Sequence, residues 1–193
     1  VRIALALKGL DYKAVPVALQ DGEHLDAEYR TVNPQGLVPV YSDAQILLSQ
    51  SLAIIEYLDE THPQPPLLPA TPIERARARQ FALLVASDVQ PLTGLRVMSY
   101  LRDACRLDVA ARRGWFNHWL MEGLDALELW LTAAERGTRY CVSDEPSIAD
   151  VCLVPQLAVA RRSGIDVEEF PRLAAVEARC LVLPAFIAAG AAP

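Results

Sequence analysis

The sequence is poor in positive charge. Its 18 Lys and Arg residues are outnumbered by 24 Asp and Glu residues, so the formal net charge of the 193-residue chain is −6. Because binding to nucleic-acid phosphates needs a concentration of Lys and Arg, this balance argues against a nucleic-acid partner. It also means that an anionic small molecule must find a local basic pocket on this chain.

The sequence is also poor in cysteine, with only Cys105, Cys141, Cys152 and Cys180. None of them belongs to a Cys-x-x-Cys motif and none has a His at ligand spacing, which argues against a zinc site or a redox pair. Isolated cysteines in an apolar context are typical of buried thiols in a reducing compartment. We therefore expect no metal and a cytoplasmic location.

Long apolar runs are missing too. The longest nearly uncharged stretch, residues 180–193, is too short to span a bilayer and is interrupted by Pro184. No signal peptide is visible, and the chain opens on Val1 in a helical pattern that includes Ile3 and Leu5. We therefore expect no membrane partner and a helix as the first element.

What the sequence does have is a motif over residues 33–51. Two short apolar strands flank the polar pair Ser42-Asp43, and the second strand runs into a segment whose apolar residues recur at helical spacing. Ser51 thus lies where this helix begins. The first turn of a helix exposes unpaired N–H groups at the positive end of the helix dipole, so it can bind a small carboxylate.

Val38-Pro39 is the second feature of this motif. A proline at the entry to a short strand can follow a cis peptide bond, which turns the backbone of Val38 outward, where it can pair with an extended peptide. The alternative is that Ser51 is only an N-cap and Val38-Pro39 only the start of a strand. Taken together, the two features predict a site for a peptide that carries a carboxylate.

These residues carry a family resemblance. Asn-Pro-Gln-Gly-x-Val-Pro followed by Gln-Ser-x-Ala-Ile-Ile-Glu-Tyr-Leu resembles the glutathione-binding half of cytosolic glutathione transferases. Residues 1–9 resemble the zeta class, which contains the maleylacetoacetate and maleylpyruvate isomerases, and the similarity extends over essentially the whole chain. The resemblance implies the glutathione-transferase fold, with a thioredoxin-like α/β domain and an all-α helical bundle, and it implies glutathione as cofactor and a homodimer. In the zeta class a first strand and a Ser-rich loop with the thiol-activating residue precede the opening helix, so we expect the catalytic Ser upstream of Val1.

The expected domains are a glutathione-binding domain over residues 1–62, a Pro-rich linker over 63–71 and a helical substrate-binding domain over 72–193. In the first domain, residues 12–19 predict a strand and residues 26–32 a short helix.

In the second domain, the N-cap sequence Thr-Pro-Ile-Glu predicts a long helix over residues 72–104 that bends near Pro91. The aromatic periodicity predicts another long helix over residues 109–134. Ser147 and Asp150 predict a capping box at the start of a buried helix.

The resemblance also assigns residues to the glutathione site. Gln50 and Ser51 match the pair that holds the glutamyl end of glutathione, and Val38 matches the residue whose backbone pairs with the cysteinyl part. His24 matches a contact to the glycyl end in bacterial members. A His in a polar loop is equally consistent with a solvated side chain.

A second stretch resembles the family pattern Asp-Ile-His-Pro-x-Asn-Asn-x-Arg. Gln90 stands where bacterial relatives often have His and animal members have Gln, and Gly94 stands where the pattern has an Asn that contacts the ligand. Arg96 matches, and an arginine there can clamp a carboxylate. Arg162 matches a position proposed to bind a substrate carboxylate, although Arg161 and Arg162 can instead merely favour the negative end of their helix.

The function implied by the resemblance is the cis–trans isomerisation of maleylacetoacetate or maleylpyruvate by reversible addition of the glutathione thiolate. Two alternatives stay open. The chain could conjugate or dehalogenate small electrophiles, which Gln90 and Gly94 permit, or it could be a non-catalytic, dimeric glutathione-binding protein.

Overall fold

The computed structural model describes residues 1–133 and 137–190. The end of the second long predicted helix, residue 134, and the last residues of the predicted second domain, 191–193, lie outside the described residues. The elements in chain order are α1 (Arg2–Leu7), α2 (Ala27–Val32), β1 (Val40–Ser42), β2 (Leu47–Ser49), α3 (Ser51–Thr61), α4 (Pro72–Leu83), a π-helical turn (Leu84–Val89), α5 (Gln90–Thr93), α6 (Leu95–Asp103), α7 (Val109–Ala133), α8 (Ile148–Arg162), α9 (Pro171–Cys180) and α10 (Pro184–Ala188).

Helix α1 forms as the sequence predicts. Ile3, Ala4 and Leu5 are buried on one face of it, and Gly9 ends it with a positive φ of 64°. The buried face packs against α8 and α10 of the helical half as well as against α3. The opening helix therefore joins the two halves of the molecule.

The sheet is smaller than the sequence predicts. Strands β1 and β2 form an antiparallel pair in which Val40 lies opposite Ser49, and they are the only strands in the described residues. The strand predicted over residues 12–19 is wrong: this segment is irregular up to a single turn of 3₁₀ helix at Leu19–Asp21, and Val15 is 74 % exposed. A strand needs a neighbour to accept its backbone hydrogen bonds, and none of the described chain lies alongside this segment as a strand.

The single long helix predicted over residues 72–104 is also wrong. Helix α4 gives way to the π-helical turn, and the chain leaves helical geometry at Gly94, whose ψ is 157°. Pro91 lies just after the junction of the π-helical turn with α5, and the helical run ends at Gly94, not at Pro91.

A close approach between two helical segments accompanies this irregularity. Gly123 of α7 faces Val89 at the end of the π-helical turn, and a Cβ on Gly123 would come within 2.1 Å of Val89 Cγ2. Only glycine leaves room for the widened turn at this crossing. The shape of the segment around residue 90 thus depends on a residue more than thirty positions away.

The hydrophobic core lies mainly in the helical half, around α8. The capping box predicted at its start is confirmed: Asp150 Oδ2 accepts hydrogen bonds from Ser147 N at 2.8 Å and from Ser147 Oγ at 2.9 Å. A smaller cluster fixes α3 to α1 through Leu5, Ile54 and Leu58. Among the described helices, none combines the length and the apolar character that a membrane span requires.

A buried ion pair joins α1 to the segment that follows α3. The side chain of Lys8 is fully buried, and its Nζ donates to Asp59 Oδ1 at 2.8 Å and to the carbonyl oxygens of His62 and Pro65 at 2.6 and 2.9 Å. Asp59 Oδ1 also accepts from Leu67 N at 2.7 Å. Because removing one partner of a buried pair leaves an uncompensated charge, this network fixes the start of the connection to α4.

Candidate functional site

The loop before β1 is held in place by side chains. Tyr29 Oη and Asn33 Nδ2 both donate to the carbonyl oxygen of Leu37, each at 2.7 Å, and Asn33 Oδ1 accepts from Gln35 N at 3.1 Å. Asn33 is buried although it is polar. These hydrogen bonds hold one side of the loop in place. The other side, its outer edge, makes no such contacts.

Val38 lies on that outer edge. It is 43 % exposed, and its peptide bond to Pro39 is cis. In residues 1–133 and 137–190, no hydrogen bond occupies its backbone N–H or C=O. The backbone of Val38 is therefore available to pair with an extended peptide, as the motif predicts.

The start of α3 is open as well. Ser51 is the first helical residue of α3, and the N-cap residue before it is Gln50. The alternative interpretation, in which Ser51 is only the N-cap, is therefore wrong. Gln50 has a φ of 72°, and its carbonyl oxygen accepts from Ile54 N at 3.0 Å. No side chain of the described chain caps the first-turn N–H groups of α3. These donors and the positive end of the dipole can hold an anion.

A hydrogen bond joins these two open features. Gln50 Nε2 donates to Gln35 Oε1 at 2.9 Å, which connects the start of α3 to the loop that carries Val38. The loop that carries Val38 and the start of α3 at Gln50 and Ser51 are thus neighbours. Gln35 could not be identified from the sequence, because nothing in its local pattern shows that it meets a residue fifteen positions later.

His24 lies against the same loop. A Cβ on Gly36, which has a φ of 62°, would come within 2.9 Å of the carbonyl oxygen of His24, so the turn Glu23–Leu25 packs closely on the loop. The His24 side chain is half-buried, and its Nδ1 is buried without a hydrogen-bond partner in the described residues. This nitrogen lacks a partner among those residues but is shielded from solvent, so it is the packing of His24 on the loop, not an open ring nitrogen, that places it near Val38.

Gln90 is the exposed first residue of α5, directly after the π-helical turn. The short helix is anchored from below: Trp115 Nε1 donates to the carbonyl oxygen of Leu92 at 2.9 Å, and Thr93 Oγ1 donates to that of Val89 at 3.0 Å. Trp115 belongs to the aromatic periodicity that predicted α7; it is half-buried and supports the short helix that carries Gln90. The spacing of the aromatic residues along the sequence does not reveal this contact.

Two arginines remain as candidates for a second anion site. Arg96 is exposed at the second position of α6, just after the break at Gly94. Arg162 is the exposed last residue of α8. Within the described residues, no hydrogen bond or ion pair joins either arginine to the start of α3.

The neighbouring arginines at the end of α8 have different environments. The guanidinium of Arg161 pairs with Glu177, whose side chain is only 2 % exposed, and lies 3.6 Å from Glu168. Arg162 has no ion-pair partner in the described part of the chain. Arg161 thus links α8 to α9, whereas Arg162 is available to a ligand.

Three thiols of the chain, those of Cys141, Cys152 and Cys180, lie in surroundings that disfavour the thiolate. Burial raises the pKa of Cys152 to about 12 and also raises the pKa values of Cys141 and Cys180. All three stay protonated near neutral pH. The described residues also contain no cluster of three or more His, Cys, Asp or Glu side chains that could hold a metal ion.

Comparison with known families agrees with this architecture. The family model for the glutathione S-transferase N-terminal domain matches residues 1–66, and that for the C-terminal domain matches residues 119–184. The chain is 46 % identical to the maleylacetoacetate isomerase of Pseudomonas aeruginosa, an alignment that covers 96 % of this chain and 87 % of that protein.

Solved structures are similar over the same extent. A holo structure of maleylpyruvate isomerase, a bacterial glutathione S-transferase of the zeta class, superimposes with a TM-score of 0.94 at 41 % identity, covering 100 % of this chain and 92 % of that one. A maleylacetoacetate isomerase from Anaeromyxobacter dehalogenans, with dicarboxyethyl glutathione and citrate in its active site, superimposes with a TM-score of 0.82 at 38 % identity, covering 97 % and 83 %. The chain therefore belongs to the zeta class of the glutathione S-transferase family, among the maleylacetoacetate and maleylpyruvate isomerases.

Proposed function

We propose that the chain is a glutathione-dependent cis–trans isomerase that acts on maleylacetoacetate or maleylpyruvate. The observation that carries this proposal is the uncapped start of α3 near the unpaired backbone of Val38, in a chain of the zeta class. The similar enzyme from Anaeromyxobacter dehalogenans supports it, because its active site holds glutathione that carries a dicarboxyethyl group.

Glutathione lies extended along Val38 in this proposal. Its glutamyl carboxylate binds the first-turn N–H groups and hydroxyl of Ser51, next to Gln50. His24, which packs against the loop at Gly36 near Val38, contacts the glycyl end. Gln90, which α7 anchors through Trp115, contacts glutathione from the helical half.

The reaction requires a thiolate and a bound diacid. The thiolate of glutathione adds to the conjugated double bond, the adduct rotates about the resulting single bond, and the thiolate leaves again, so that glutathione is regenerated. Lowering a thiol pKa by about 2 units takes about 2.7 kcal/mol of differential stabilisation, which a few directed hydrogen bonds supply. Arg96 and Arg162 hold the carboxylates of the diacid, and the commitment of Arg161 to Glu177 supports this division of roles.

A turnover assay tests the proposal. The full-length protein should consume the absorbance of the cis diacid only when glutathione is present. Absence of turnover would reject the isomerase, and faster conjugation of a chloro-aromatic compound would favour a conjugating transferase.

A pair of arginine variants tests the substrate site. We expect Arg162→Ala to raise the KM for the diacid about tenfold while the affinity for glutathione stays unchanged. Arg161→Ala is the matched control, because it should lower stability through the loss of the contact to buried Glu177. Equal losses of diacid and glutathione affinity in Arg162→Ala would show a structural role.

Three further properties belong to the same proposal. The protein is a homodimer, which sedimentation of the purified protein tests. Residues 63–71 form the linker between its glutathione-binding domain and its helical domain. It works in the cytoplasm, which the four free thiols support.

A further inference from the structure

The placement of Gln90 depends on the residue before it. Val89, the last residue of the π-helical turn, is only 4 % exposed, whereas Gln90, the first residue of α5, is exposed. The side chain of Val89 packs on α7 at Gly123, where Cγ2 of Val89 fills the space that a Cβ would occupy. The distance between the turn and α7 at this contact therefore sets where the backbone of Gln90 lies.

A side chain at position 123 would open this contact. A Cβ there would overlap with Val89 Cγ2 and would lie 3.2 Å from its Cγ1 and 3.3 Å from its Cβ. Carbon atoms in contact lie about 3.5 to 4.0 Å apart. A rotation about χ1 of Val89 leaves its Cβ in place, and a β-branched residue has few other rotamers in a helix. The two backbones would therefore have to separate.

The π-helical turn is the side that would move. Gly123 lies within the 25-residue helix α7, between the buried residues Leu120 and Leu124. The π-helical turn has only six residues, and the chain leaves helical geometry soon after it, at Gly94. A shift of Val89 away from α7 would carry Gln90 with it.

A second contact holds the other end of α5. Trp115, about two turns before Gly123 on α7, donates from Nε1 to the carbonyl oxygen of Leu92 at 2.9 Å. Helix α5 is thus fixed to α7 at Leu92 and, through Val89, at Gly123. A separation at Val89 alone would tilt this short helix and turn Gln90 away from its place.

We propose that Gly123 is a positioning residue: by leaving room for Val89, it places the side chain of Gln90 within reach of glutathione. The proposal rests on the function proposed above, in which Gln90 contacts glutathione. It adds that the affinity for glutathione depends on a helix crossing. Gly123 acts through Val89 and Gln90, and not through a contact of its own with the ligand.

Glycine-to-alanine variants at two positions of α7 test the proposal. We expect Gly123→Ala to lower the affinity of the full-length protein for glutathione about tenfold in calorimetry, at a temperature at which urea denaturation shows the variant to be folded. Gly114→Ala is the matched control, because a Cβ there would meet no described atom within 4 Å outside the backbone of α7 itself. Its affinity should equal that of the wild type.

Two combinations show how Gly123 acts. Adding Val89→Ala to Gly123→Ala removes both Cγ atoms, so the affinity should return to within about twofold of the wild type. In a Gln90→Ala background, Gly123→Ala should cause no further loss, because the contact that it displaces is already absent. An equal loss in that background would overturn the positioning role, and so would wild-type affinity in folded Gly123→Ala.

A variant on the other side of the contact keeps the test decisive if Gly123→Ala does not fold. Val89→Ile adds one methyl group where Val89 meets Gly123, and overpacking of this kind shifts the backbone. We expect about threefold weaker binding of glutathione, again only while Gln90 is present. Unchanged binding in Val89→Ile, or the same loss without Gln90, would overturn the proposal.

The outcomes separate this proposal from the function on which it rests. If the wild-type protein does not bind glutathione, the proposed function fails and takes the role of Gly123 with it. If the wild type binds glutathione and Gln90→Ala binds it equally well, Gln90 is not a contact. The role of Gly123 is then overturned, while the glutathione site at Val38 and Ser51 stands.

Discussion

Helices α3 and α8 begin in opposite ways. At α8, Ser147 and Asp150 satisfy the first turn from within the chain, and the whole cap is buried. At α3, no described side chain caps the first turn, and the N-cap residue Gln50 has a positive φ. In both helices the first-turn N–H groups have no acceptor within the helix, but only at α8 does the chain supply a capping carboxylate.

The difference shows how one physical requirement serves two purposes. A carboxylate at the start of α8 stabilises the folded chain. At α3 no carboxylate of the described chain occupies this place, and a bound ligand supplies the anion. The same interaction therefore contributes to the affinity for the ligand and not to the stability of the free protein. Variants at the two starts should therefore change different measured quantities.

The largest effect is expected from Asp150→Ala. This change removes the acceptor for Cys141 N, Ser147 N and Ser147 Oγ, all of them buried, and we expect the free energy of unfolding to fall by about 3 kcal/mol. Urea denaturation measures it, with the exposed Asp125→Ala in α7 as control. A loss below about 1 kcal/mol would mean that the cap of α8 is no stronger than an exposed one.

Gln50→Gly should separate stability from binding at α3. Glycine adopts a positive φ without steric cost, so we expect the free energy of unfolding to rise by about 1 kcal/mol. The affinity for glutathione should fall about tenfold, because the amide is lost. A fall in both quantities would show that the Gln50 side chain stabilises the fold in the absence of ligand.

Ser51→Ala should change binding alone. We expect the affinity for glutathione to fall about tenfold, since the hydroxyl no longer reaches its carboxylate, and the free energy of unfolding to stay within about 0.5 kcal/mol. Calorimetry and urea denaturation of the same samples measure both. Ser42→Ala, at the exposed end of β1, is the control. Destabilisation by Ser51→Ala alone would contradict an open helix start.

The smallest expected effect is on how the free energy of unfolding changes at acidic pH. A hydrogen bond from Gln45 N, with others from Tyr57, Ile46 and Tyr41, holds the pKa of Asp43 below its usual value, whereas burial raises that of Asp150. The stabilisation by Asp43 is therefore complete above its unfolded pKa and is lost as the pH falls through the folded one. For Asp150 the sign is opposite, and stability is lost as the pH rises through its raised pKa.

Urea midpoints measured between about pH 2 and 5 check this contrast. In Asp43→Asn the free energy of unfolding should fall slightly less steeply as the pH is lowered, and the effect is small because the side chain is exposed. In Asp150→Asn the loss of stability with rising pH that Asp150 causes should disappear. The same slope change in both variants would contradict the opposite shifts.

The parts of the fold that depend on short stretches of sequence could be predicted. Helix α1 follows from its apolar spacing and from Gly9, and the cap of α8 follows from Ser147 and Asp150, three residues apart. The start of α3 at Ser51 follows from the same kind of local pattern and is confirmed, because Ser51 is the first helical residue.

The features that sequence reasoning missed depend on distant partners. The strand predicted over residues 12–19 lacks a paired neighbour, and the break in the long predicted helix accompanies the approach of Gly123. Likewise, Arg161 and Arg162 cannot be told apart until Glu177 is seen beside the first of them. Each of these outcomes depends on a contact that no local periodicity encodes.

The buried ammonium of Lys8 has a consequence for how the molecule can move. Through Asp59 and the carbonyl oxygens that follow α3, it ties the first helix to the connecting segment, and the paired side chains of Arg79 and Glu56 tie α4 to α3 nearby. Such a joint resists hinge rotation between the halves. Entry of substrate and departure of product are then expected to use rearrangements of side chains and short turns near Val38 and the start of α3.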